Sequence, residues 1–420
     1  MTPLDAMPTE CPDLACTRRR LLTAGGAVAG LAALDVATPR MAFAASRQRG
    51  DLLVVITLEG GADGLSLVPP LADHHYELAR PDVAVRPNQA IRLDRSFGLH
   101  PGLAPLLPLW KKHQLAVVQA VGDADGTRSH FEATDAMERG VNVASNVGTG
   151  WIDRYLTARG LQSGAFPALA IGGRPSGALA GSAPSLATSD VAHLGINVNP
   201  SRQAPTQLAL AQMYAGLSGP VSAAARDTLG AVKRFARFQD QAYTPRAGVS
   251  YPTDTLGGSL AQVARVARAG VGLEVACVTA PGWDTHQGMG GATSGYMSSL
   301  VSRLGQAIAA FAKDLGPLMG STTIVTMSEF GRRVTQNGSN GVDHGHGSAM
   351  LVLGGGVRGG KVYGRWPGLA PSQLEDGDLR VTTDYRDVLG EVVHRRLGGK
   401  DLSHVFPDHR PRELGLVRQR

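Results

Sequence analysis

The run of residues 321–327 constrains the fold most, because it is β-branched and carries no charged side chain. Such a run is typical of a strand that is buried on both faces of a parallel sheet. Glu329 follows the end of this predicted strand. Ligands of open α/β sheets collect outside the carboxyl ends of the strands. We therefore predict an α/β fold in which Glu329 faces a crevice.

A glycine-rich loop after this strand ends in Asp343, His344 and His346. Carboxylate oxygens and neutral imidazole nitrogens both bind Zn²⁺, Mn²⁺ or Mg²⁺, so this loop suits a divalent cation. The alternative is that the histidines only brace a polar loop, since zinc-finger spacing is absent.

Acidic residues follow two other predicted strands. Residues 51–58 lead into a glycine-rich turn with Asp63, which either binds a ligand or serves the turn. Residues 271–280 lead to Asp284 and His286, which either turn toward one ion or brace their loop. The first turn lacks the GxGxxG pattern, which disfavours a dinucleotide site.

Ser129 stands where a helix is predicted to begin, and Glu132 three positions later completes a capping-box pattern. A hydroxyl at a helix N-terminus beside Arg128 also suits a nucleophile or an anion-binding position, because unpaired amides favour negative charge there. The cap and the nucleophile remain alternatives at this point.

The N-terminal segment reads as a targeting signal. Three arginines at 18–20 precede an apolar run at 21–37 and a small-residue motif at 42–44. We predict a twin-arginine signal over residues 1–44, with the export machinery as a partner and a periplasmic or extracellular mature protein. An uncleaved anchor is the alternative, although Asp35 and Arg40 interrupt the run before the roughly 20 apolar residues that a span needs.

Composition limits the remaining choices. The chain has 420 residues, of which 43% are hydrophobic, and residues 45–420 are predicted to form a single domain. Within it, the Gly-, Ala-, Ser- and Pro-rich segment of about 161–220 is predicted to be a cap insertion over the sheet. Cys277, the one cysteine outside the signal, is predicted to be an inert core thiol.

The net charge of +6 is spread along the chain, and only 5% of the residues are aromatic. No basic block interleaved with aromatics is present, so nucleic acid is not expected as a partner. The charge supports a mild attraction for anionic substrates.

Seven motifs, in the order GGADGL, TRSHFEA, GWDTH, SEFGR, DHGHG, VYGRWPGL and TTDYRDVL, resemble the exported family known as domain of unknown function 1501. The resemblance covers about residues 51–398. It implies membership of the alkaline phosphatase and sulfatase superfamily. The fold so implied is a three-layer α/β/α sandwich with a mostly parallel central sheet.

The resemblance also implies roles for particular residues. The first metal-binding acid is expected to be Asp63, although Glu59 lies closer to the strand end, and the nucleophile is expected to be Ser129. Asp284 and His286 are expected to be the mid-chain ligand pair.

The late Asp-His-Gly motif of the superfamily has two candidate counterparts. The literal Asp343-His344-Gly345 follows a polar loop, whereas Glu329-Phe330-Gly331 stands at the strand end. If the strand end is the counterpart, Phe330 replaces a histidine ligand, and one of two metals is lost or held differently. His344 or His346 then supplies the final histidine.

Together these features predict an exported metal-dependent hydrolase of phosphate or sulfate esters. One or two divalent ions (Zn, Mn, Mg or Ca) are expected, with Arg128 or Arg332 neutralising the transferred group. The ligands are expected among Asp63, Asp284, His286, Glu329, Asp343, His344 and His346. The alternative is a non-catalytic exported binding or assembly protein on a degenerate hydrolase fold.

Overall fold

A nine-stranded sheet forms the centre of the computed structural model, which describes residues 51–124, 126–160, 167–172, 175–193, 198–238 and 242–420. The predicted signal segment, 1–44, lies outside the described residues. Residues 48–420 form a compact unit. None of the helices in the described part of the chain is long and apolar enough to cross a membrane.

The strands, in chain order, are β1 (Leu52–Glu59), β2 (Ile91–Arg92), β3 (Gly98–Leu99), β4 (Leu115–Gly122), β5 (Ala168–Ile171), β6 (Ser185–Thr188), β7 (Val275–Pro281), β8 (Thr322–Met327), β9 (Ser348–Gly354), β10 (Val362–Tyr363) and β11 (Thr383–Asp384). The sheet order is β10-β4-β9-β8-β1-β7-β5-β6, and β11 also pairs with β4. Only β9 runs antiparallel to its neighbours in this sheet. Strands β2 and β3 form a separate antiparallel pair.

The α-helices are α1 (Gly64–Leu67), α2 (His74–Ala79), α3 (Leu107–Lys111), α4 (His130–Arg139), α5 (Trp151–Ala158), α6 (Pro200–Ala215), α7 (Pro220–Phe235), α8 (Thr255–Arg268), α9 (Tyr296–Leu315), α10 (Tyr385–Arg395) and α11 (Leu402–Val405). Short 3-10 helices cover Pro101–Leu106, Gly177–Leu179, Val191–His193, Ala236–Phe238, Gly316–Ser321 and Pro371–Gln373.

Two hydrophobic cores lie on the two faces of the sheet, because successive side chains of a strand point to opposite faces. In β1, Leu52, Val54 and Ile56 pack in one core with residues of α8 and α9. Leu53 and Val55 pack in the other core with residues of α5 and α10. The prediction of a three-layer α/β/α sandwich with a mostly parallel sheet is confirmed.

The described residues between 161 and 220 include β5 and β6, which extend the central sheet at its edge beside β7. Of these two strands, β5 pairs with β7, and β6 pairs with β5. The cap insertion over about residues 161–220 stays a prediction.

Cys277 lies in β7 and is buried. Burial raises the pKa of its thiol to about 12, which keeps the thiol protonated and unreactive at neutral pH. This agrees with a core thiol.

The carboxyl ends of β1, β7 and β8 meet at one edge, since Glu59 pairs with Pro281 and Thr57 pairs with Met327. Strand β4 runs in the same direction, because β9 is antiparallel to both β4 and β8. The loops that follow these four strands therefore share one rim of the sheet.

Candidate metal centre

Three imidazoles and one carboxylate converge at this rim, and we call them the histidine cluster: His130, Asp284, His286 and His344. The Nε2 atoms of His286 and His344 are 2.9 Å apart. Oδ1 of Asp284 lies 3.1 Å from Nε2 of His286, 3.4 Å from Nε2 of His344 and 3.7 Å from Nε2 of His130. The four side chains come from the start of α4, the loop after β7 and the loop after β8.

The other nitrogen of each ring is held by an oxygen. Nδ1 of His130 lies 2.7 Å from Oε1 of Glu329, and Nδ1 of His286 lies 2.8 Å from Oδ1 of Asp343. Nδ1 of His344 lies 2.9 Å from the carbonyl oxygen of Arg128. Metal-binding histidines characteristically donate their second ring N–H to a carboxylate or carbonyl in this way.

These partners fix the tautomers of the rings. A carbonyl can only accept, so Nδ1 of His344 carries the proton. Hydrogen bonds from His286 and Asn337 lower the pKa of Asp343, so its carboxylate is ionised and also only accepts. Oε1 of Glu329 accepts the amide N–H of Gly60 at 2.9 Å. The same oxygen can also accept an N–H from Nδ1 of His130. In the neutral form of each ring, the lone pair of Nε2 then faces the centre of the cluster.

Converging lone pairs repel one another unless a cation lies between them. Burial and the nearby charge of Arg332 lower the pKa of His344, although its bond to the Arg128 carbonyl acts in the opposite direction. An extra proton is therefore disfavoured on this ring. Nε2 of His130 is buried without a hydrogen-bond partner among the described residues.

The donor set fits a divalent ion. Two ligands that are each 2.0–2.1 Å from a tetrahedral Zn²⁺ lie about 3.3 Å from each other. The four separations in the cluster, from 2.9 to 3.7 Å, bracket that value. His130, Asp284 and His344 are also one of two groups of side chains in the described chain whose ligand atoms all lie within 4.8 Å of one another. His286 is not in that group, and it joins the cluster through its contacts with His344 and Asp284.

Asp284 is tuned by a buried arginine. Nη2 of Arg332 donates to Oδ1 of Asp284 at 2.6 Å. Burial alone would raise the pKa of Asp284, but the hydrogen bond and the charge of Arg332 lower it below its usual range. The carboxylate is therefore ionised at neutral pH, while half of its side chain stays exposed to solvent.

Arg128 or Arg332 was predicted to neutralise the transferred group, and the structure places Arg332 inside the rim. Its side chain is fully buried, and it also donates to the carbonyls of Gly60, Gly61, Val342 and Trp283. Because these bonds join the loops after β1, β7 and β8, Arg332 holds the rim together and has no exposed edge to offer a ligand.

Asp63 was predicted to be a ligand, and the structure places it in a buried ion pair with Arg80. Its two oxygens bind the two terminal nitrogens of Arg80, and Ser66 donates to it as well. Burial alone would raise the pKa of Asp63, but the charge and hydrogen bonds of Arg80 lower it. Its carboxylate serves a buried ion pair and not the cluster.

Glu329 and Asp343 were also predicted to be ligands. The structure places them one step further out, because each accepts from the Nδ1 of a clustered histidine and orients that ring. The ring of His346 is not part of the group. Its carbonyl accepts from the amide of Gly331, which holds this part of the backbone against the turn after β8.

Ser129 is the N-cap residue of α4, as predicted, but its hydroxyl makes no cap hydrogen bond. The capping box is not formed, because Glu132 accepts from the hydroxyl of Thr127 at 2.9 Å. Ser129 stands between Arg128, whose carbonyl holds His344, and His130. Both neighbours of Ser129 in the chain therefore contribute to the cluster, Arg128 through its carbonyl and His130 through its ring.

The guanidinium of Arg128 is bound to Asp378 through Nε, at 3.0 Å, and through Nη2. Asp378 is fully buried, whereas about a third of the Arg128 side chain is exposed. The fork of Arg128 is thus fixed on one side, which leaves Nη1 as the edge that can meet an anion.

Sequence reasoning missed His130. The residue follows Ser129 in the TRSHFEA motif, and that motif was assigned only a cap and a nucleophile. Its position after β4, at the rim shared with the other three loops, was the available signal. Phe330, where a histidine ligand was expected to be lost, packs against the rings of His130 and His344, with centroids 4.8 Å away in both cases.

Gly60 lets the loops after β1 and β7 touch. Its φ of +116° is unfavourable for other residues, and a Cβ there would lie 2.5 Å from the amide nitrogen of Asp284. We expect Gly60→Ala to push Asp284 away and to weaken divalent-ion binding by about 10-fold or more, as supporting-shell changes do. Titration with Zn²⁺ against a chelator measures this.

Gly258→Ala is the matched control for that measurement. Gly258 lies within α8, and a Cβ added there meets no atom within 4 Å. Binding equal to the unchanged protein is expected for this control. Equal binding by Gly60→Ala as well would contradict the role given to Gly60.

Comparison with known proteins identifies a matching family. A family model described as "Protein of unknown function (DUF1501)" matches residues 128–419, a range that contains the whole histidine cluster. No curated protein matches the sequence.

Two solved structures are similar to the chain at low sequence identity. Ps i-CgsB in complex with k-i-k-neocarrahexaose is 11% identical with a TM-score of 0.36, and the match covers 88% of this chain and 74% of that one. The PsFucS1 sulfatase from Pseudoalteromonas sp. is 10% identical, with the same TM-score and the same coverage. Because the family match spans more than half of its residues, the chain belongs to the DUF1501 family.

Proposed function

We propose that the protein is an exported metal-dependent hydrolase of phosphate or sulfate esters, with its ion held by His130, Asp284, His286 and His344. The observation that carries the proposal is the convergence of three imidazole Nε2 atoms on one carboxylate oxygen of Asp284. A set dominated by imidazole favours Zn²⁺ over Mg²⁺ or Ca²⁺, which prefer oxygen ligands.

When bound, a divalent ion supplies Lewis-acid stabilisation of an oxyanion and lowers the pKa of a nearby hydroxyl or water. Ser129 is the nucleophile of the proposal. Its Oγ forms a bond to phosphorus or sulfur as the bond to the alcohol breaks, and the alcohol leaves with a proton. Water then releases phosphate or sulfate from Ser129 and restores the hydroxyl.

Arg128 is the anion-binding residue of the proposal. Its Nη1 donates to a non-bridging oxygen of the phosphate or sulfate group, while Asp378 keeps the guanidinium in place. Export by the twin-arginine machinery to the periplasm or beyond belongs to the same proposal and is supported by the N-terminal sequence pattern.

A screen of phosphate and sulfate esters with purified mature protein tests the proposal. Ser129→Ala is expected to lower kcat by at least about 1,000-fold, since loss of the nucleophile of a covalent mechanism leaves only the binding contributions. Its metal content is expected to stay unchanged, because no ligand is altered. Turnover that survives Ser129→Ala would remove Ser129 from this role.

The second candidate is a non-catalytic exported binding protein. The observation that favours it is Phe330, which fills one side of the cluster where a second ligand group was expected. Stoichiometric metal with no turnover across the screen would support this second candidate over the hydrolase.

A further inference from the structure

Two arginines share one buried carboxylate beside the histidine cluster. Arg128 donates to Oδ2 of Asp378 through Nε, at 3.0 Å, and through Nη2. Nε of Arg333 lies 3.8 Å from Oδ1 of the same carboxylate. Asp378 is fully buried, whereas 35% of the Arg128 side chain and 40% of the Arg333 side chain are exposed. Two positive charges therefore face one negative charge, and we call Arg128 and Arg333 the arginine pair.

The backbone of the arginine pair is bonded to the residues that build the cluster. The carbonyl oxygen of Arg128 lies 2.9 Å from Nδ1 of His344 and accepts its proton. The amide of Arg333 donates to the carbonyl of Asp343, also at 2.9 Å, and the side chain of Asp343 holds His286. Each arginine is therefore one hydrogen bond away from a residue that belongs to the cluster or orients it.

The guanidinium of Arg333 has donors that the described residues leave unused. Its contact of 3.8 Å with Asp378 is too long for a hydrogen bond, and it donates to no other group in the described part of the chain. Glu375 and Asp376 are exposed in the turn that leads to Asp378, but neither forms an ion pair with Arg333 within the described ranges. A guanidinium is a rigid fork of N–H donors that matches the oxygens of an anionic group. Arg333 is therefore equipped to bind an anionic group of a ligand.

We propose that Arg333 binds a second anionic group of the substrate, so that the site selects esters with a further phosphate, sulfate or carboxylate close to the scissile group. This rests on the proposed function, in which Arg128 meets the group that is transferred. Both guanidinium groups lie against the two oxygens of one carboxylate, so a single small ligand can reach both of them. Asp378 neutralises one of the two positive charges, and the other charge attracts the second anionic group.

Alkyl sulfonates test the inference without turnover, because they contain no ester bond. Propanedisulfonate, with a sulfonate on each terminal carbon, is compared with propanesulfonate, which lacks the second anionic group. Each compound is titrated calorimetrically into the full mature protein, once loaded with Zn²⁺ and once zinc-free.

We expect the unchanged protein to bind the disulfonate about five- to tenfold more tightly than the monosulfonate, a gain between those of an exposed ion pair and of a charge-assisted hydrogen bond. Arg333→Gln is expected to lower this ratio to about two, the statistical value for a ligand with two identical groups. Arg333→Lys retains the charge and is expected to keep a ratio above that of Arg333→Gln.

Arg303→Gln is the matched control. Arg303 lies on α9, its Nε is 3.5 Å from Oδ2 of Asp254, and 45% of its side chain is exposed. It is thus an arginine of similar exposure in a similarly loose ion pair, and within the described chain it contacts no residue of the histidine cluster. The control removes the same charge from the protein and is expected to leave the ratio unchanged.

The same ratio in Arg333→Gln as in the unchanged protein would overturn the inference, as would an equal fall in Arg303→Gln. No preference for the disulfonate, or no binding of either sulfonate, by the unchanged protein would overturn it too. A preference that is confined to the zinc-loaded protein and survives Arg333→Gln would assign the second group to the ion instead.

The metal content and the ester screen, measured on the same samples, report on the proposed function separately. A disulfonate preference that depends on Arg333, in a protein that holds no stoichiometric ion after Zn²⁺ loading, would keep the anion site and defeat the hydrolase.

Discussion

His344→Ala is expected to abolish stoichiometric binding of a divalent ion. The substitution removes one of the three imidazoles of the cluster. The Nε2 atom that is lost lies 2.9 Å from Nε2 of His286 and 3.4 Å from Oδ1 of Asp284. Loss of a supporting residue alone typically costs 10–100-fold in metal affinity, so loss of a ligand is expected to cost at least about 100-fold. Elemental analysis after gel filtration, and a chelator-competition titration with Zn²⁺, measure the loss.

His346→Ala is the matched control. It changes the same residue type in the same loop, two positions further on, but its ring belongs to neither group of possible metal ligands in the described part of the chain. The control is expected to keep a stoichiometric ion. Equal loss in both variants would show that the loop as a whole, and not the ring of His344, decides ion binding.

Arg80→Ala is expected to lower the free energy of unfolding by about 3–5 kcal/mol at neutral pH, the usual cost of leaving a buried charge unpaired. Arg80 and Asp63 are both fully buried and bind each other through two pairs of atoms. Arg80 also donates to the carbonyls of Val334 and Arg333, so its loss frees these acceptors too. Urea unfolding in metal-free buffer measures the change.

The loss of unfolding free energy in Arg80→Ala, here called the deficit, is expected to become smaller as the pH falls. In the unchanged protein the folded-state pKa of Asp63 is lowered, so its contribution to stability is present above the usual carboxyl pKa and is lost as the pH falls through the folded value. Without Arg80, burial raises the pKa of Asp63, and the carboxyl takes up a proton on folding. The deficit should therefore shrink between about pH 7 and about pH 4, near the usual pKa of Asp.

Arg86→Ala provides the comparison for this measurement. Arg86 pairs with Glu77 at 3.3 Å at the surface, where both side chains are substantially exposed. Exposed pairs contribute roughly 0–1 kcal/mol, so a small change is expected. A deficit in Arg80→Ala that is no larger than in Arg86→Ala, or that is the same at both pH values, would contradict the importance of the buried pair.

Local sequence patterns were sufficient to predict an α/β fold with buried parallel strands and polar side chains at their ends, whereas the three layers were implied by the family resemblance. The uncharged β-branched runs at β1, β7 and β8 are buried parallel strands, and Asp284, His286 and His344 lie in the loops that follow two of them. That the strand ends meet follows from parallel pairing, which is why these three side chains could be grouped before the structure was known.

Local patterns could not assign each carboxylate its partner. Asp63 is paired with Arg80, 17 positions later, and Glu329 orients His130, 199 positions earlier. Whether an acidic side chain at a strand end contacts an ion, an arginine or the Nδ1 atom of an imidazole depends on the path of the loops. That path is set by Arg332, whose bonds to several loop carbonyls have no local sequence signature.

The distance along the chain between the clustered side chains also bears on how the protein would acquire the proposed ion. His130 and His344 are brought together only when α4 and the loop after β8 have both reached the sheet, so the unfolded chain contains no preformed site. Uptake must then follow folding, and availability in the folding compartment, more than intrinsic affinity, selects the element. For a chain exported after folding, that choice would be made in the cytoplasm.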